Sequence, residues 1–588
     1  MTRTKWVGPI LGFVLEIVLW TGLAGSFLYL YLGYGVAGAS AVKVHFGVVA
    51  TLLIGLWCTR LLLWTWLGPG AAGRTAAAML TALFLVVALI YYALVLVGLY
   101  SWGHVISWAL IKTYALQAGD LIRSIGMSPG PVFGQLALLF VVVFAAVFFM
   151  PQRLRWSRAL ASRLSFGAAT LCAVLGLAIV PMRLYLYAEA LPRRQGEPVA
   201  LTFLPEEPLR ITQARKSRGS QALNDVETAA RRAYVPAPEP AKRNVIVIVG
   251  DALRADHLGV YGYERDTTPH LSELAREGRL VKVDRMYSAC AETACGLLAI
   301  ARSKFVFQQS PGAFTLQEVL RRYGYRLHMI LGGDHTNFYG LRAAYGELDG
   351  YYDGSFASGS GFYFNDDKLV IEHLEQFPDW NSQPTFLQFH LMSTHVVGRQ
   401  HEAALRYQPA TSYLPLLRDK GVDGLSAADL TGIANNYDNG VVQFDQMVGQ
   451  ILDRLERKGY LRDAVVVVTG DHGEMLGEHH EFGHAKRIFQ NAVLVPFMLL
   501  RYGYTADADL DAKVVASQVD IAPTLLAELK MPPPSTWSGV ALQKPVARDF
   551  LFVQQGGNIA LVDLRESTRQ MKYWKNIRSG EEFVFDVK

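Results

Sequence analysis

Little in this chain is charged. Of its 588 residues, 18% are Asp, Glu, Lys or Arg, and the formal net charge is +5. So small an excess gives no electrostatic footprint for nucleic acid. Cysteine is scarcer still, with four in all. Cys58 and Cys172 lie in apolar runs, where a thiol acts as an inert small hydrophobe. Cys290 and Cys295 sit close together in a polar loop, and their spacing permits a bond in an oxidising compartment. The first apolar segment lacks a clear small-residue cleavage site and is too long for a cleaved signal peptide. It reads as an uncleaved anchor.

What the chain has in quantity is apolar surface. Hydrophobic residues make up 51%, the mean hydropathy is +0.20, and the excess concentrates before about residue 190. Five segments are long enough to cross a bilayer: Trp6–Leu32, Val44–Leu67, Ala76–Tyr100, Phe133–Met150 and Phe166–Tyr187. Arg3, Lys5, Arg74, Arg153, Arg155, Arg158 and Arg163 fall on one side of five spans, which makes that side cytoplasmic. The carboxyl half is then extracytoplasmic. Val105–Leu121, between the third and fourth spans, has helical apolar spacing and reads as an interfacial amphipathic helix or an ordinary loop. Glu16 lies inside the first span, where a carboxylate either serves function or bonds a neighbouring helix.

Residues 191–242 change character. Charges run to Arg232, a helix is expected within 211–232, and Pro236, Pro238 and Pro240 form a semi-rigid spacer. The remaining residues, 243–588, alternate apolar β runs (Arg326–Leu331, Thr385–Leu391, Ala464–Thr469) with helical patterns near His270–Glu277, Leu316–Tyr323 and Asn435–Lys458. Alternation predicts one α/β domain with a largely parallel sheet covered on both faces.

Two strand ends carry the chemistry. Asn244–Val249 is an uninterrupted β-branched run, the mark of a strand buried on both faces, and it ends in Gly250-Asp251. Ala464–Thr469 repeats the pattern and ends in Gly470-Asp471-His472-Gly473-Glu474. Open α/β sheets bind ligands at the carboxyl ends of their strands. If these two strands are neighbours, Asp251, Asp471 and His472 converge, and hard and borderline ligands together suit a divalent cation. Helix N-capping is the plain alternative for either aspartate alone.

The stretch Asp251 to Leu271 resembles the opening motif of the sulfatase branch of the alkaline phosphatase superfamily. Asp471 to His479 resembles its second metal motif, and Gly483-His484-Ala485-Lys486 the short motif that follows. Five spans ahead of such a domain resemble the membrane-anchored phosphoethanolamine transferases and the lipoteichoic acid synthase or phosphoglycerol transferase group. True sulfatases need Cys-x-Pro-Ser-x-Arg. Here Cys290 is followed by Ala291-Glu292-Thr293-Ala294, without the Pro or the Arg. The membrane transferases use a threonine, and Thr293-Ala294 fits; Cys290 and, more distantly, Ser288 are the rival nucleophiles.

The resemblance implies a metal site of Asp251, Thr293, Asp471 and His472, holding zinc or manganese, and a catalytic set of Thr293, His395 and His484. His390 is the alternative to His395 in the same stretch. Lys486, Arg342 and Tyr339 are the implied substrate-binding residues, the last two through a looser likeness of Gly332–Arg342 to the phosphoglycerol group. It further implies a multi-pass protein of the cell (inner) membrane, its amino terminus cytoplasmic and its catalytic domain periplasmic. The expected activity is transfer of a phospholipid head group, phosphoglycerol or phosphoethanolamine, through phosphothreonine to an envelope glycan or glycolipid. The partners are a phospholipid donor and that acceptor, with no nucleic acid. A membrane-tethered phosphoric or sulfuric ester hydrolase is the alternative, and a scaffold without activity the third reading. Asp445, on a helix with an apolar stripe, reads as structural.

Overall fold

In the computed structural model the residues described are 7–33, 39–68, 70–102, 105–124, 126–149, 160, 164–189, 196–203, 218–338, 340–357, 363–546, 548–566, 569–577 and 579–587. Two compact units emerge. One comprises residues 1–115 and 128–206, the other 116–127 and 207–588.

The first unit contains five helices long and apolar enough to span a bilayer: Val7–Gly33, Ala39–Leu67, Ala71–Trp102, Pro129–Phe149 and Phe166–Glu189. Each covers one of the expected apolar segments. Glu16 meets Arg60 of the next helix in a two-pronged pair, with N–O distances of 2.7 and 2.9 Å. The neighbouring-helix reading of Glu16 therefore holds. A second buried contact joins His45 Nδ1 to Glu197 at 2.7 Å, while the Tyr31 hydroxyl donates to the Gly196 carbonyl. Arg74 is described. Arg3, Lys5, Arg153, Arg155, Arg158 and Arg163 lie outside the described residues.

The Val105–Leu121 segment is not one helix. It breaks at Gln117 into helices Trp108–Leu116 and Ala118–Ser124. The break follows a change of environment: residues 116–127 group with the second unit. There Asp120 takes a hydrogen bond from Arg399 at 2.8 Å, and Gln117 Oε1 accepts from the Phe364 amide at 3.2 Å. The helix Arg218–Ala233, which falls where one was expected within 211–232, also packs into this unit, through a buried Glu227–Lys304 pair at 2.8 Å.

The second unit is built on an eight-stranded sheet. In chain order its strands are β1 (Asn244–Gly250), β2 (Leu280–Tyr287), β3 (Arg326–Leu331), β4 (Gly350–Tyr352), β5 (Thr385–Leu391) and β6 (Ala464–Gly470), then β9 (Leu494–Tyr502) and β10 (Val515–Ser517). The order across the sheet is β10-β2-β9-β6-β1-β5-β3-β4. Only β9 runs against its neighbours β2 and β6. Every residue of β1, β5 and β6 is buried. A fully buried Val, Ile or Leu contributes roughly 1.5–3 kcal/mol, which explains why a β-branched run settles in the middle of the sheet. A two-stranded ribbon, β7 (Met475–Leu476) with β8 (Phe482–Gly483), follows β6. A separate antiparallel sheet closes the chain, with β11 (Phe550–Gln555), β12 (Asn558–Asp563), β13 (Met571–Asn576) and β14 (Glu582–Asp586).

The long helix Ala427–Arg457 begins eight residues before the expected start at Asn435. Ser426 and Asp429 cap its amino end reciprocally, a local hydrogen-bond signal that apolar periodicity does not report. Asp445 accepts from the amides of His270 and Leu271, both at 2.9 Å, and so fixes the start of helix Pro269–Arg276.

Candidate metal and nucleophile centre

The centre is made by strand register. β1 pairs in parallel with β6, Gly250 opposite Gly470, so Asp251 and Asp471 leave the sheet side by side. On its other edge β1 pairs with β5, where Val249 faces His390. Three adjacent strands thus deliver Asp251, His390 and Asp471, all buried, with one ligand atom from each lying within 4.8 Å of the others.

The chain turns sharply at each strand end. Ala252 adopts a left-handed conformation, φ 57°, uncommon for a residue with a side chain. Its amide donates to Asp471 Oδ1 at 2.9 Å, and its carbonyl accepts from the Tyr437 hydroxyl. The His472 amide also donates to Asp471 Oδ1, at 2.8 Å. One oxygen of Asp471 is therefore held by backbone donors and the other is left over.

Thr293 comes from a different direction, as the first residue of helix Thr293–Arg302. Its hydroxyl lies 3.4 Å from Asp251 Oδ2 and 3.2 Å from His472 Nε2. His472 Nδ1 donates to the Gly473 carbonyl at 2.8 Å, which leaves the Nε2 lone pair directed inward. The helix end adds positive potential next to the hydroxyl.

Whether these groups fit a cation can be tested on their own hydrogen bonds. Among the described residues, Asp251 Oδ1, Asp471 Oδ2 and His390 Nε2 are buried without a hydrogen-bond partner. Buried polar atoms left unpaired are costly. Burial pushes the Asp251 carboxyl well up, and the charges of Asp471 and Glu474 push it further. Burial works the same way on Asp471, but His472 and His390 hold it below its ordinary value. Two carboxylates buried side by side call for compensating positive charge, and the donor set of carboxylates, imidazoles and a hydroxyl fits a divalent cation.

Beside this centre lies a second group. Glu474 takes the Tyr413 hydroxyl at 2.7 Å and faces His484 Nδ1 at 2.7 Å. Burial disfavours the His484 proton, yet the Glu474 carboxylate outweighs it and raises His484 above its usual range. The rings of His484 and His472 are 4.3 Å apart, and His395 is 5.2 Å from His484. Burial, with His484 adding, pushes His395 down to about 3. Its Nδ1 accepts the Val397 amide at 3.3 Å, so Nε2 carries the proton and can donate. The turn that presents His395 is pinned by Asp367, which accepts the amides of Met392 and Ser393.

The structure therefore brings together Asp251, Thr293, Asp471 and His472, with His395 and His484 adjacent. Cys290 and Cys295 are joined in a disulfide. Lys486 is exposed, and its carbonyl accepts from Asn558. Arg342 is exposed and lies over the Tyr351 ring, 4.9 Å from its centre. Tyr339 lies outside the described residues. Sequence reasoning gave His390 second place; its side chain is the one β5 turns toward the carboxylates. It missed His335, whose Nε2 is 3.2 Å from His390 Nδ1. It also missed Glu474 as the partner of His484, although that glutamate stands inside the second metal motif.

Five helices long and apolar enough to cross a membrane thus precede an α/β domain that carries this centre at the ends of its middle strands. A model described as Sulfatase matches residues 243–531, and that part of the chain is a sulfatase-family domain. The chain is similar to the Kdo(2)-lipid A phosphoethanolamine 7''-transferase of Salmonella typhimurium, 27% identical over 295 residues covering 48% of this chain and 49% of that one. It spans about half the length of this relative. It is also similar to the N-acetylgalactosamine-6-sulfatase of Rattus norvegicus, 24% identical over 62% of this chain and 78% of the relative. Among solved structures, the integral membrane lipooligosaccharide phosphoethanolamine transferase A of Neisseria meningitidis is similar over 91% of this chain and 97% of that one, with 16% identity and a TM-score of 0.44.

Proposed function

We propose that the protein is a metal-dependent membrane transferase that moves a phospholipid head group through Thr293 to an envelope glycolipid. The observation that carries this reading is the Thr293 hydroxyl, 3.4 Å from Asp251 Oδ2 and 3.2 Å from His472 Nε2, which itself lies 3.6 Å from Asp251 Oδ1 and from Asp471 Oδ2. Phosphoethanolamine is the head group favoured by the Salmonella relative. A sulfatase is disfavoured because Cys290, the residue such an enzyme would have to oxidise, is bonded to Cys295. The same disulfide supports a periplasmic location for the domain, with the amino terminus cytoplasmic.

A divalent cation, zinc or manganese, held by Asp251, Thr293, Asp471 and His472 would supply Lewis-acid polarisation and lower the pKa of the hydroxyl. Thr293 ionises, its proton passing to solvent; its oxygen attacks phosphorus, and the bond from phosphorus to the diacylglycerol oxygen breaks. His484, protonated through Glu474, gives that oxygen its proton. His395 Nε2 donates to a phosphoryl oxygen. In the second half the acceptor hydroxyl loses its proton to His484 and takes the head-group phosphate from Thr293. Two displacements at one residue predict ping-pong kinetics.

Incubation with phosphatidylethanolamine vesicles, followed by mass spectrometry of the Met286–Arg302 tryptic peptide, tests this. The expected result is a phosphoethanolamine adduct on Thr293, absent from Thr293→Ala. Unchanged transfer by Thr293→Ala excludes the nucleophile. Free head group without modified acceptor favours hydrolysis.

A further inference from the structure

The Sulfatase match ends at residue 531, yet the loop that carries Thr293 is held by residues beyond it. The last sheet is folded around a two-residue connection, Gly556-Gly557, with Gln555 paired to Asn558 across it. Both flanking side chains are 7% exposed, and both point into loops of the catalytic centre. Gln555 Oε1 accepts the Ala291 amide at 3.2 Å, and Gln555 Nε2 donates to Glu292 Oε2 at 2.9 Å. These are the two residues immediately before Thr293. One residue earlier in the hairpin, the Gln554 amide donates to the Ala289 carbonyl at 3.0 Å.

Asn558 does the equivalent for the histidine loop. Its Nδ2 donates to the Lys486 carbonyl at 2.7 Å, while its Oδ1 is fixed by Trp574 Nε1 and Asn576 Nδ2 at 3.0 and 2.9 Å. The two loops also touch directly, the Ala485 amide donating to the Ala291 carbonyl at 2.7 Å. Beneath them Tyr287, Ala289 and Ala291 share one apolar core with Leu551, Val553 and Trp574 of the sheet. The Gln555–Ala291 and Trp574–Asn558 bonds are buried and the other side-chain bonds part-buried, and a satisfied network in such a setting rigidifies its members.

We infer that the β11–β12 hairpin tip is part of the catalytic apparatus, and that Gln555 is a positioning residue for the nucleophile. It acts through Ala291 and Glu292 and touches no reacting atom. This rests on the reading of Thr293 given above. Gln555 suits the task because its amide both accepts and donates, so one side chain ties a backbone amide and a carboxylate in consecutive residues. A misplacement of about 1 Å at a reacting group costs on the order of 100-fold in rate.

The test uses the full-length protein in detergent, with two readouts. The first is hydrogen exchange in the Met286–Arg302 peptide, which needs no turnover. Gln555→Met keeps the side-chain length and removes both bonds, so faster exchange at Ala291 is expected. The second readout is the rate of adduct formation on that peptide with phosphatidylethanolamine vesicles, together with bound metal. Gln555→Met should slow adduct formation by about 10- to 100-fold, with KM and metal content unchanged. Gln555→Glu sets two carboxylates against each other and should slow it as much. Adding Glu292→Gln to that variant re-forms the bond with the roles exchanged, and at least about ten-fold recovery is expected.

Unaltered exchange at Ala291 in Gln555→Met overturns the inference. So does a double exchange no faster than Gln555→Glu alone, because a merely structural loss would not be rescued. If the wild-type protein forms no adduct, the phosphothreonine reading fails instead, and the exchange measurement still decides whether the hairpin orders this loop.

Discussion

A Cβ built on Gly296 would lie 2.3 Å from the carbonyl oxygen of Asp471. The helix that begins with Thr293 therefore rests directly on the backbone of the second metal motif, and only hydrogen at position 296 allows it. Gly296→Ala must push the helix outward, because the contact is with backbone that has no rotamer to change. The expected result is adduct formation on Thr293 slowed by about 100-fold, with the fold retained by circular dichroism. Near-normal rates would mean that the helix does not set the nucleophile distance.

Metal removal should be felt by the fold as well as by activity. Asp251 Oδ1 and Asp471 Oδ2 are buried with no hydrogen-bond partner among the described residues, so loss of a cation would leave them uncompensated. A ligand at about 100 times its Kd stabilises by about 2.7 kcal/mol, so the Tm should fall on chelation and return with zinc or manganese. The ion that restores both Tm and transfer is the resident one. Asp471→Asn should abolish metal uptake while leaving the protein folded. Stoichiometric metal in that variant would place the cation elsewhere.

Lys572 offers a pH test away from the centre. It is 1% exposed, donates to the Ile488 carbonyl, and approaches Gln490 Oε1 at 3.1 Å. Burial pushes its ammonium down from 10.5 to about 7. The folded chain then binds this proton more weakly than the unfolded chain, so unfolding takes up a proton between pH 7 and 10.5. Stability from this group rises with pH across that window, by at most about 1.4 kcal/mol per pH unit. Thermal unfolding at about pH 7 and pH 9 should show a larger gain for the wild type than for Lys572→Met. Equal gains would refute the shift.

In the helical unit, Glu16 and Arg60 form a pair with 4% and 0% side-chain exposure. Removing one partner strands a buried charge, a change worth about 3–5 kcal/mol. Glu16→Leu and Arg60→Met should each lower survival on heating in detergent, and the double variant should regain most of it. A double variant as unstable as its worse parent would show that the pair is not the unit of stability.

Some of this is legible in the sequence. The five apolar helices follow from length and hydropathy, which the bilayer constrains directly. β1 and β6 follow from uninterrupted β-branched runs, because a strand buried on both faces cannot show alternation. Asp251, Thr293, Asp471 and His472 were named from motif and strand-end logic. The β11–β14 sheet was not foreseen, although Leu551 and Val553 alternate with more exposed neighbours. Its strands are short and follow a long irregular stretch, so their pattern is weak. The break at Gln117 was hidden because apolar spacing continues through it while the packing partner changes.

Residue order alone determined what kinds of groups stand at the strand ends and which segments are apolar enough for a membrane. Those properties are local, written in composition and period. Only the tertiary structure decided that β5 joins β1 and β6, which brings His390 to the carboxylates. It alone brought the Gly296 face of helix Thr293–Arg302 onto Asp471 and the Gln555 hairpin under Ala291. Such contacts join residues up to 264 positions apart. They depend on sheet register and packing, which no short window of sequence contains.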